Sequence, residues 1–170
     1  MNVTPKAVLE VRINGFLNVN ACINDKSTSI LVGHDCSQIN LYMAIDTIID
    51  SNQHMVIHIV TGPLMLNEIK QATVRLYSDP HFQATMNILV DLRNGTVRNL
   101  SQRDIEEFVI MNVQMEQQRG AGHTAIVTAR DIDFGIARQL QAMLDNTPRK
   151  LGVFRDYQLA VDWLCNNPIP

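Results

Sequence analysis

The segment MNILVDL (residues 86–92) is a short apolar run of strand length. Such runs are typical of strands that are buried on both faces of a sheet, as central strands of α/β proteins are. Segments with helical spacing of apolar residues lie on either side of it, at residues 66–78 and 101–118. A buried strand between two helices predicts a sheet that carries helices on its faces.

The alternation of strand and helix continues outward from this segment. The other predicted elements are strands at 41–48, 54–61, 123–128 and 151–155, and helices at 131–144 and after Asp156. From residue 54 the order is therefore β-α-β-α-β-α-β-α, which predicts a mainly parallel or mixed sheet with about four helices. Gly62-Pro63 and Asn94-Gly95 are interpreted as the points where their strands end.

The first 39 residues have a different pattern. Residues 7–13 and 16–23 alternate apolar and polar side chains, and Asn14-Gly15 between them is the dipeptide that best accepts a type I′ turn. Residues 29–33 add a short third strand. We therefore predict an N-terminal β-hairpin extension over residues 1–39 and an α/β domain over residues 40–170.

Composition excludes several classes of protein. The 170 residues are 46% hydrophobic and 18% charged, with a net charge of −3 and a pI near 5.9. Basic residues are scattered, the densest pair being Arg149-Lys150, so the chain has no general attraction to nucleic acid or to an anionic membrane. No apolar run approaches the length of a membrane span, and the N-terminus does not resemble a signal peptide.

The cysteines indicate a reducing compartment. Cys22, Cys36 and Cys165 are an odd number without a CxxC spacing, whereas secreted disulfide frameworks have an even number of closely spaced cysteines. We therefore expect a cytoplasmic protein.

Motifs of catalysis and metal binding are missing from the sequence. There is no G-x-S-x-G, no Walker A and no G-x-G-x-x-G pattern, and no cysteine has an evident histidine partner. His54 and His58 are expected on one strand face, but roughly 13 Å apart, which is too far for one metal ion. We predict no catalytic residue, no metal site and no cofactor.

The helix at 101–118 has more apolar residues than one stripe requires. Phe108, Met111 and Met115 belong to this surplus, and methionine suits adaptable contact surfaces. These three residues are candidates for contact with a second subunit or a ligand. The equal alternative is a helix wedged between the sheet and the N-terminal hairpin.

Polar residues at strand ends form a second candidate site. Asp91 and Arg93 flank the carboxyl end of a central strand, where open α/β sheets usually bind ligands. With Arg138, Arg155 and Asp156 they are candidates for a rim that receives an anionic group or a partner. The preferred alternative is structural, with Asp91 pairing an arginine and Arg138 an ordinary surface cation.

Several collinear motifs resemble one family. They are Asp79-Pro80-His81-Phe82, Leu89-Val90-Asp91-Leu92-Arg93, Leu100-Ser101, the run 131–138 (DIDFGIAR), Val153-Phe154-Arg155-Asp156 and Trp163-Leu164. Over residues 41–165 the chain is similar to bacterial STAS-like proteins, the relatives of the sporulation anti-sigma-factor antagonist, which border on CRAL-TRIO lipid-binding domains. The resemblance implies a STAS-type α/β fold.

The resemblance also draws attention to Ser101. In classical antagonists a serine at the start of this helix is phosphorylated, and phosphate is favoured at the positive end of a helix dipole. This chain has Asn99-Leu100-Ser101-Gln102-Arg103 and lacks the family's second serine and glycine. The preferred alternative is that Ser101 caps the helix by bonding the Asp104 amide.

Three hypotheses of function follow. The first is a non-enzymatic regulatory module that contacts another protein, with self-association as a homodimer and an antagonist-like switch as refinements. The second is a CRAL-TRIO-like carrier of a small apolar ligand, which the apolar helix at 101–118 favours. The third is an enzyme with Asp91, Arg93 and Arg138 in a cleft, and we expect it least because no acid–base or nucleophile pair can be assigned.

Overall fold

The computed structural model describes residues 44–167 in full and, before them, the backbone of three strands. The chain divides into two compact units, residues 1–42 and 43–170. In the first unit β1 (Val8–Arg12), β2 (Asn18–Asn24) and β3 (Ser27–Ile30) form an antiparallel sheet in that order. The predicted hairpin and third strand are confirmed, and the Asn14-Gly15 turn lies outside the described residues.

The second unit contains a five-stranded mixed sheet with the strands in chain order. Its strands are β4 (Ile45–Asp50), β5 (Met55–Pro63), β6 (Asn87–Thr96), β7 (His123–Val127) and β8 (Lys150–Phe154). The edge strand β4 is antiparallel to β5, and the other neighbours are parallel. The predicted mainly parallel or mixed sheet is confirmed.

Five helices are described in this unit, against the four expected. They are α1 (Leu66–Ser78), α2 (Gln102–Gln114), α3 (Glu116–Arg119), α4 (Asp131–Leu144) and α5 (Tyr157–Asn166). The extra helix arises because the predicted continuous helix at 101–118 is interrupted. Met115 has φ −94° and ψ 13°, so it ends α2 and precedes the single turn of α3. None of the helices within residues 44–167 has the length and hydropathy of a membrane span.

The predicted end of the central strand at Asn94-Gly95 is wrong. Strand β6 continues through both residues to Thr96, because the neighbouring strand β5 also continues, through Gly62 to Pro63, and pairs with it after a register shift. An Asn-Gly dipeptide favours a turn only where the chain folds back on itself. A side chain at Gly95 would lie 2.7 Å from Val60 Cγ1, so glycine permits this close pairing.

The two faces of the sheet are covered differently. Leu89, Ala125 and Val127 point to one face, where they pack against Ala160 and Leu164 of α5. On the opposite face, the alternate residues of the same strands pack with α1 and α4, and α2 lies beyond them. The buried residues of this second cluster include Val60, Ala72, Leu92, Ile126 and Ala137. The candidate site lies on this second face.

Candidate ligand-binding site

A cavity of about 160 Å³ lies between the sheet and helices α1, α2 and α4. Its floor is a grid of alternate strand residues, because the parallel register places equivalent positions side by side. The floor residues are Ile88, Thr124 and Leu151 in one row, His58, Val90 and Ile126 in the next, and Val60 and Leu92 in the third. The two small residues Ala72 and Ala137, on α1 and α4, complete its sides and leave room between the helices.

Helix α2 forms the roof of the cavity. Of its residues only Ile105 and Asn112 are buried, while the three predicted contact residues, Phe108, Met111 and Met115, are half-buried and line the cavity. The structure therefore places this apolar surplus against an internal space within the second unit.

The cavity has a polar end at the amino-terminal edge of the parallel strands. Tyr77 comes from the last turn of α1, Arg119 ends α3, and Thr124 lies at the start of β7; all three line the cavity. The Thr124 hydroxyl is buried and has no hydrogen-bond partner among the described residues. Burial raises the pKa of Tyr77, and the positive charges of Arg119 and Arg149 oppose that rise.

The buried Arg149 and the half-buried Arg119 lie close together at this end. Arg149 is 3% exposed, and its guanidinium donates to the backbone carbonyls of Ala84, Met86, Arg119 and His123. Burial and then repulsion by Arg119 lower the pKa of Arg149 to about 10. Burial also lowers the pKa of Arg119, although Tyr77 and Glu116 partly offset it. Within residues 44–167, neither guanidinium forms an ion pair.

His58 lies in the middle row of the floor. Its Nδ1 is 2.9 Å from Thr47 Oγ1, on the paired residue of β4. Burial, and secondarily the positive charge of Arg75, lower the pKa of His58 from its ordinary value to about 4. The imidazole is therefore neutral at physiological pH and is compatible with an apolar ligand beside it.

The low pKa of His58 predicts acid sensitivity. Between pH 6.5 and 4 the His58 ring binds a proton in the unfolded chain but not in the folded chain. The free energy of unfolding is therefore unaffected by this group above pH 6.5 and falls as the pH is lowered toward 4. We expect a loss on the order of 2 to 3 kcal/mol, lower if water enters the cavity. Urea unfolding of the wild type and His58→Gln at several pH values measures it; parallel pH profiles for the two proteins would contradict the prediction.

The expected position of His54 on the strand face of His58 is wrong, because β5 begins only at Met55. His54 has a positive φ of 53° in the turn before β5, and its Nε2 contacts Thr85 Oγ1 at 2.8 Å. In the described part of the chain, no group of three histidine, cysteine or acidic side chains is placed to hold a metal ion.

The predicted polar rim lies outside the cavity. Asp91 alternates with the cavity-facing residues of β6. Its carboxylate accepts hydrogen bonds from the Arg93 side chain at 2.7 to 3.1 Å and from the Arg93 amide at 3.0 Å, while Arg93 stacks on Tyr157 of α5. Bonding to Arg93 lowers the pKa of Asp91. Arg138 is on α4, which covers the opposite face, and donates to Gln141. These side chains do not converge in one cleft.

The two remaining rim candidates stabilise the start of helices. Arg155 pairs with Asp131 at 2.5 Å and stacks on Phe134, both on α4. Asp156 is the N-cap of α5 and accepts from the Leu159 amide at 2.9 Å. Arg155 links the loop after β8 to the start of α4, and Asp156 caps its own helix, so both roles fit the structural alternative.

Ser101 is the N-cap of α2. Its hydroxyl accepts from the Asp104 amide at 3.2 Å and donates to the Asp104 carboxylate at 2.7 Å. The donation from the Ser101 hydroxyl, together with one from the Ser101 amide at 2.8 Å, lowers the pKa of Asp104. A phosphate on Ser101 would replace a donor with a dianion beside this carboxylate, so it would break the capping box.

Sequence reasoning did not single out the polar end of the cavity. Tyr77 was placed on the apolar face of its helix, but Arg119 and Thr124 carried no signal beyond their positions next to Gly120 and at a strand start. A basic residue before a helix-ending glycine is common on protein surfaces. Only the packing reveals that Arg119 faces inward.

The architecture defines a class: a five-stranded α/β module with one helix on one face and, on the other, an apolar cavity under a helical roof. It is similar to the crystal structure of an uncharacterized protein of the DUF3478 family with a SpoIIAA-like fold, from Shewanella loihica PV-4. The TM-score is 0.50 at 19% identity, over 72% of this chain and 93% of that chain. The chain therefore has a SpoIIAA-like, STAS-like fold, and the predicted fold class is confirmed. No family model and no curated protein matches the sequence.

Proposed function

We propose that this domain is a non-enzymatic binding module that holds a small apolar ligand between its sheet and helix α2. The observation that carries the proposal is the cavity of about 160 Å³ on that face of the sheet. The proposal follows the second hypothesis, of a small-ligand carrier. Its support is the position of Phe108, Met111 and Met115, which line the cavity.

The energetics favour occupancy of this space. A closed apolar cavity costs roughly 24 cal/mol per Å³, so the packing energy that this partly open space of about 160 Å³ forfeits has an upper limit of about 4 kcal/mol. A ligand that fills it recovers part of that energy and stabilises the folded state by mass action. Apolar cavities of about this size take up benzene in other proteins, so the enclosed part of the ligand has about six carbon atoms.

Regulation through contact with another protein is the second candidate. Its support is the STAS-like fold, together with Ile110 and Val113 on the outer side of α2, which are 56% and 48% exposed. Because α2 is both the roof of the cavity and the carrier of this outer surface, ligand uptake and protein contact are compatible in one molecule.

Filling the cavity with a side chain tests the proposal. We expect Val90→Phe, on the floor, to weaken binding of 1-hexanol at least ten-fold while the thermal midpoint stays the same or rises, because the ring occupies space that is otherwise empty. NMR titration measures binding and calorimetry the midpoint. Val74→Phe is the matched control, since Val74 is 58% exposed on α1.

The result separates ligand binding from general damage. Loss of both binding and stability in Val90→Phe would indicate overpacking, and Ile126→Phe on the same row is then compared. The proposal fails if 1-hexanol does not bind the wild type, or if Val90→Phe and Ile126→Phe both remain folded and bind it as the wild type does.

A further inference from the structure

The cavity is apolar over most of its wall but cationic at one end. Its floor and roof are built mostly from aliphatic, phenylalanine and methionine side chains, with His58 in the floor and Asn112 in the roof, whereas Arg119 and Tyr77 line the edge where the parallel strands begin. The buried hydroxyl of Thr124, at the same end of the cavity, has no hydrogen-bond partner among the described residues. A charged donor, a phenol and an unused hydroxyl therefore lie at one end of a space whose other walls are mostly apolar.

We propose that the ligand is a monoanionic amphiphile, a carboxylate with an apolar body of about six carbon atoms, whose head group binds Arg119. This inference rests on the proposed function and names its ligand class. The apolar body lies along the floor toward Val60 and Leu92, and the carboxylate lies at the end formed by Arg119, Tyr77 and Thr124.

The hydrogen-bonding groups match a carboxylate. A guanidinium presents paired donors that suit the two oxygens of a carboxylate, and phenol and threonine hydroxyls can donate to the same oxygens. Bonds to a charged acceptor are stronger than neutral ones, most of all where water is excluded. An uncharged head group of equal size uses fewer of these donors.

The charge of the site sets the charge of the ligand. Arg149 also lies at this end, but backbone carbonyls of four residues occupy its Nη atoms, so its contribution is a positive field rather than a direct contact. Glu116, one turn before Arg119, supplies a partly compensating negative field. The guanidinium of Arg119 is hydrogen-bonded to Tyr77 but has no carboxylate partner among residues 44–167. With its partly balanced background it is complementary to a single negative charge.

A paired titration tests the head group separately from the tail. NMR titrations with hexanoate and with 1-hexanol compare the wild type, Arg119→Gln and Arg138→Gln. We expect the wild type to bind hexanoate at least ten-fold more tightly than 1-hexanol, and Arg119→Gln to lose that preference while its affinity for 1-hexanol changes less than about two-fold. Arg138→Gln, an exposed arginine on α4, is the control and keeps the wild-type values.

Each outcome has a distinct meaning. Equal affinity of the wild type for the two compounds, or unchanged hexanoate binding by Arg119→Gln, overturns the head-group assignment and leaves the apolar-ligand proposal standing. Binding of neither compound overturns both proposals. If Arg119→Gln is destabilised, Arg119→Lys is used instead; it keeps the charge but not the paired donors, and we expect an intermediate preference for hexanoate.

Discussion

Replacing Arg149 with methionine is expected to lower the free energy of unfolding by about 3 to 5 kcal/mol. The guanidinium is 3% exposed and donates to carbonyls of the loops before β6 and β7 at distances of 2.5 to 3.2 Å. Methionine fills similar space but donates nothing, so these carbonyls lose their partner inside the protein.

Two effects oppose each other in this substitution. Each buried carbonyl without a partner costs about 1 to 3 kcal/mol. Removing the guanidinium also removes the cost of burying its charge. The lowering of the pKa of Arg149 to about 10 corresponds to a cost of roughly 3 kcal/mol. Because four residues' carbonyls are affected, the loss of hydrogen bonds outweighs the gain.

Urea unfolding at neutral pH measures this difference. Arg149→Lys is the informative comparison, since it keeps a charge but has a single donor group and is expected to lie between the wild type and Arg149→Met. A methionine variant within about 1 kcal/mol of the wild type would show that these hydrogen bonds contribute little net stability.

The same residue shows what the sequence could and could not predict. In the sequence Arg149 is one half of a basic pair, and Arg149-Lys150 indicated only that positive charge is scattered. Its burial depends on three loops that are distant in sequence and converge at one edge of the sheet. Local patterns do not contain that information.

Regular elements were predictable because they depend on local periodicity and capping. Ser101 was interpreted as an N-cap from sequence, a helix was predicted after Asp156, and α1 has its predicted bounds, residues 66–78. The errors occurred where a neighbour overrides the local preference. Asn94-Gly95 stays in β6 because β5 continues beside it.

The candidate site was predictable only in part. The apolar surplus of Phe108, Met111 and Met115 indicated a contact beyond an ordinary helix stripe, and the structure places those residues around a cavity. The charged end was not predictable, because Tyr77 and Arg119 come together only when α1 and α3 end at the same edge of the sheet.

Gly120→Ala is expected to destabilise the protein by about 3 kcal/mol or more. Gly120 ends α3 with φ 65° and ψ −175°, a conformation that is nearly restricted to glycine. A Cβ there would also lie 2.2 Å from the Ala84 carbonyl oxygen, which is backbone and cannot move aside without displacing its loop. Backbone strain and steric overlap therefore add.

Gly135→Ala is the matched control within the same chain. Gly135 lies in α4, and a Cβ there would meet no atom within 4 Å. Alanine is expected to stabilise this exposed helical position by about 0.5 to 1 kcal/mol. Opposite signs for the two Gly→Ala changes, measured by urea unfolding, would separate backbone geometry from the general effect of adding a methyl group.

The Gly120 prediction also links stability to the candidate site. Gly120 follows Arg119, whose carbonyl accepts from Arg149 and whose side chain lines the cavity. Displacing the loop at Gly120 must disturb both contacts, so Gly120→Ala and Arg149→Met are expected to be less destabilising together than the sum of their separate effects. Strict additivity in this double-mutant cycle would show that Gly120 and Arg149 act independently, contrary to the shared contact at Arg119.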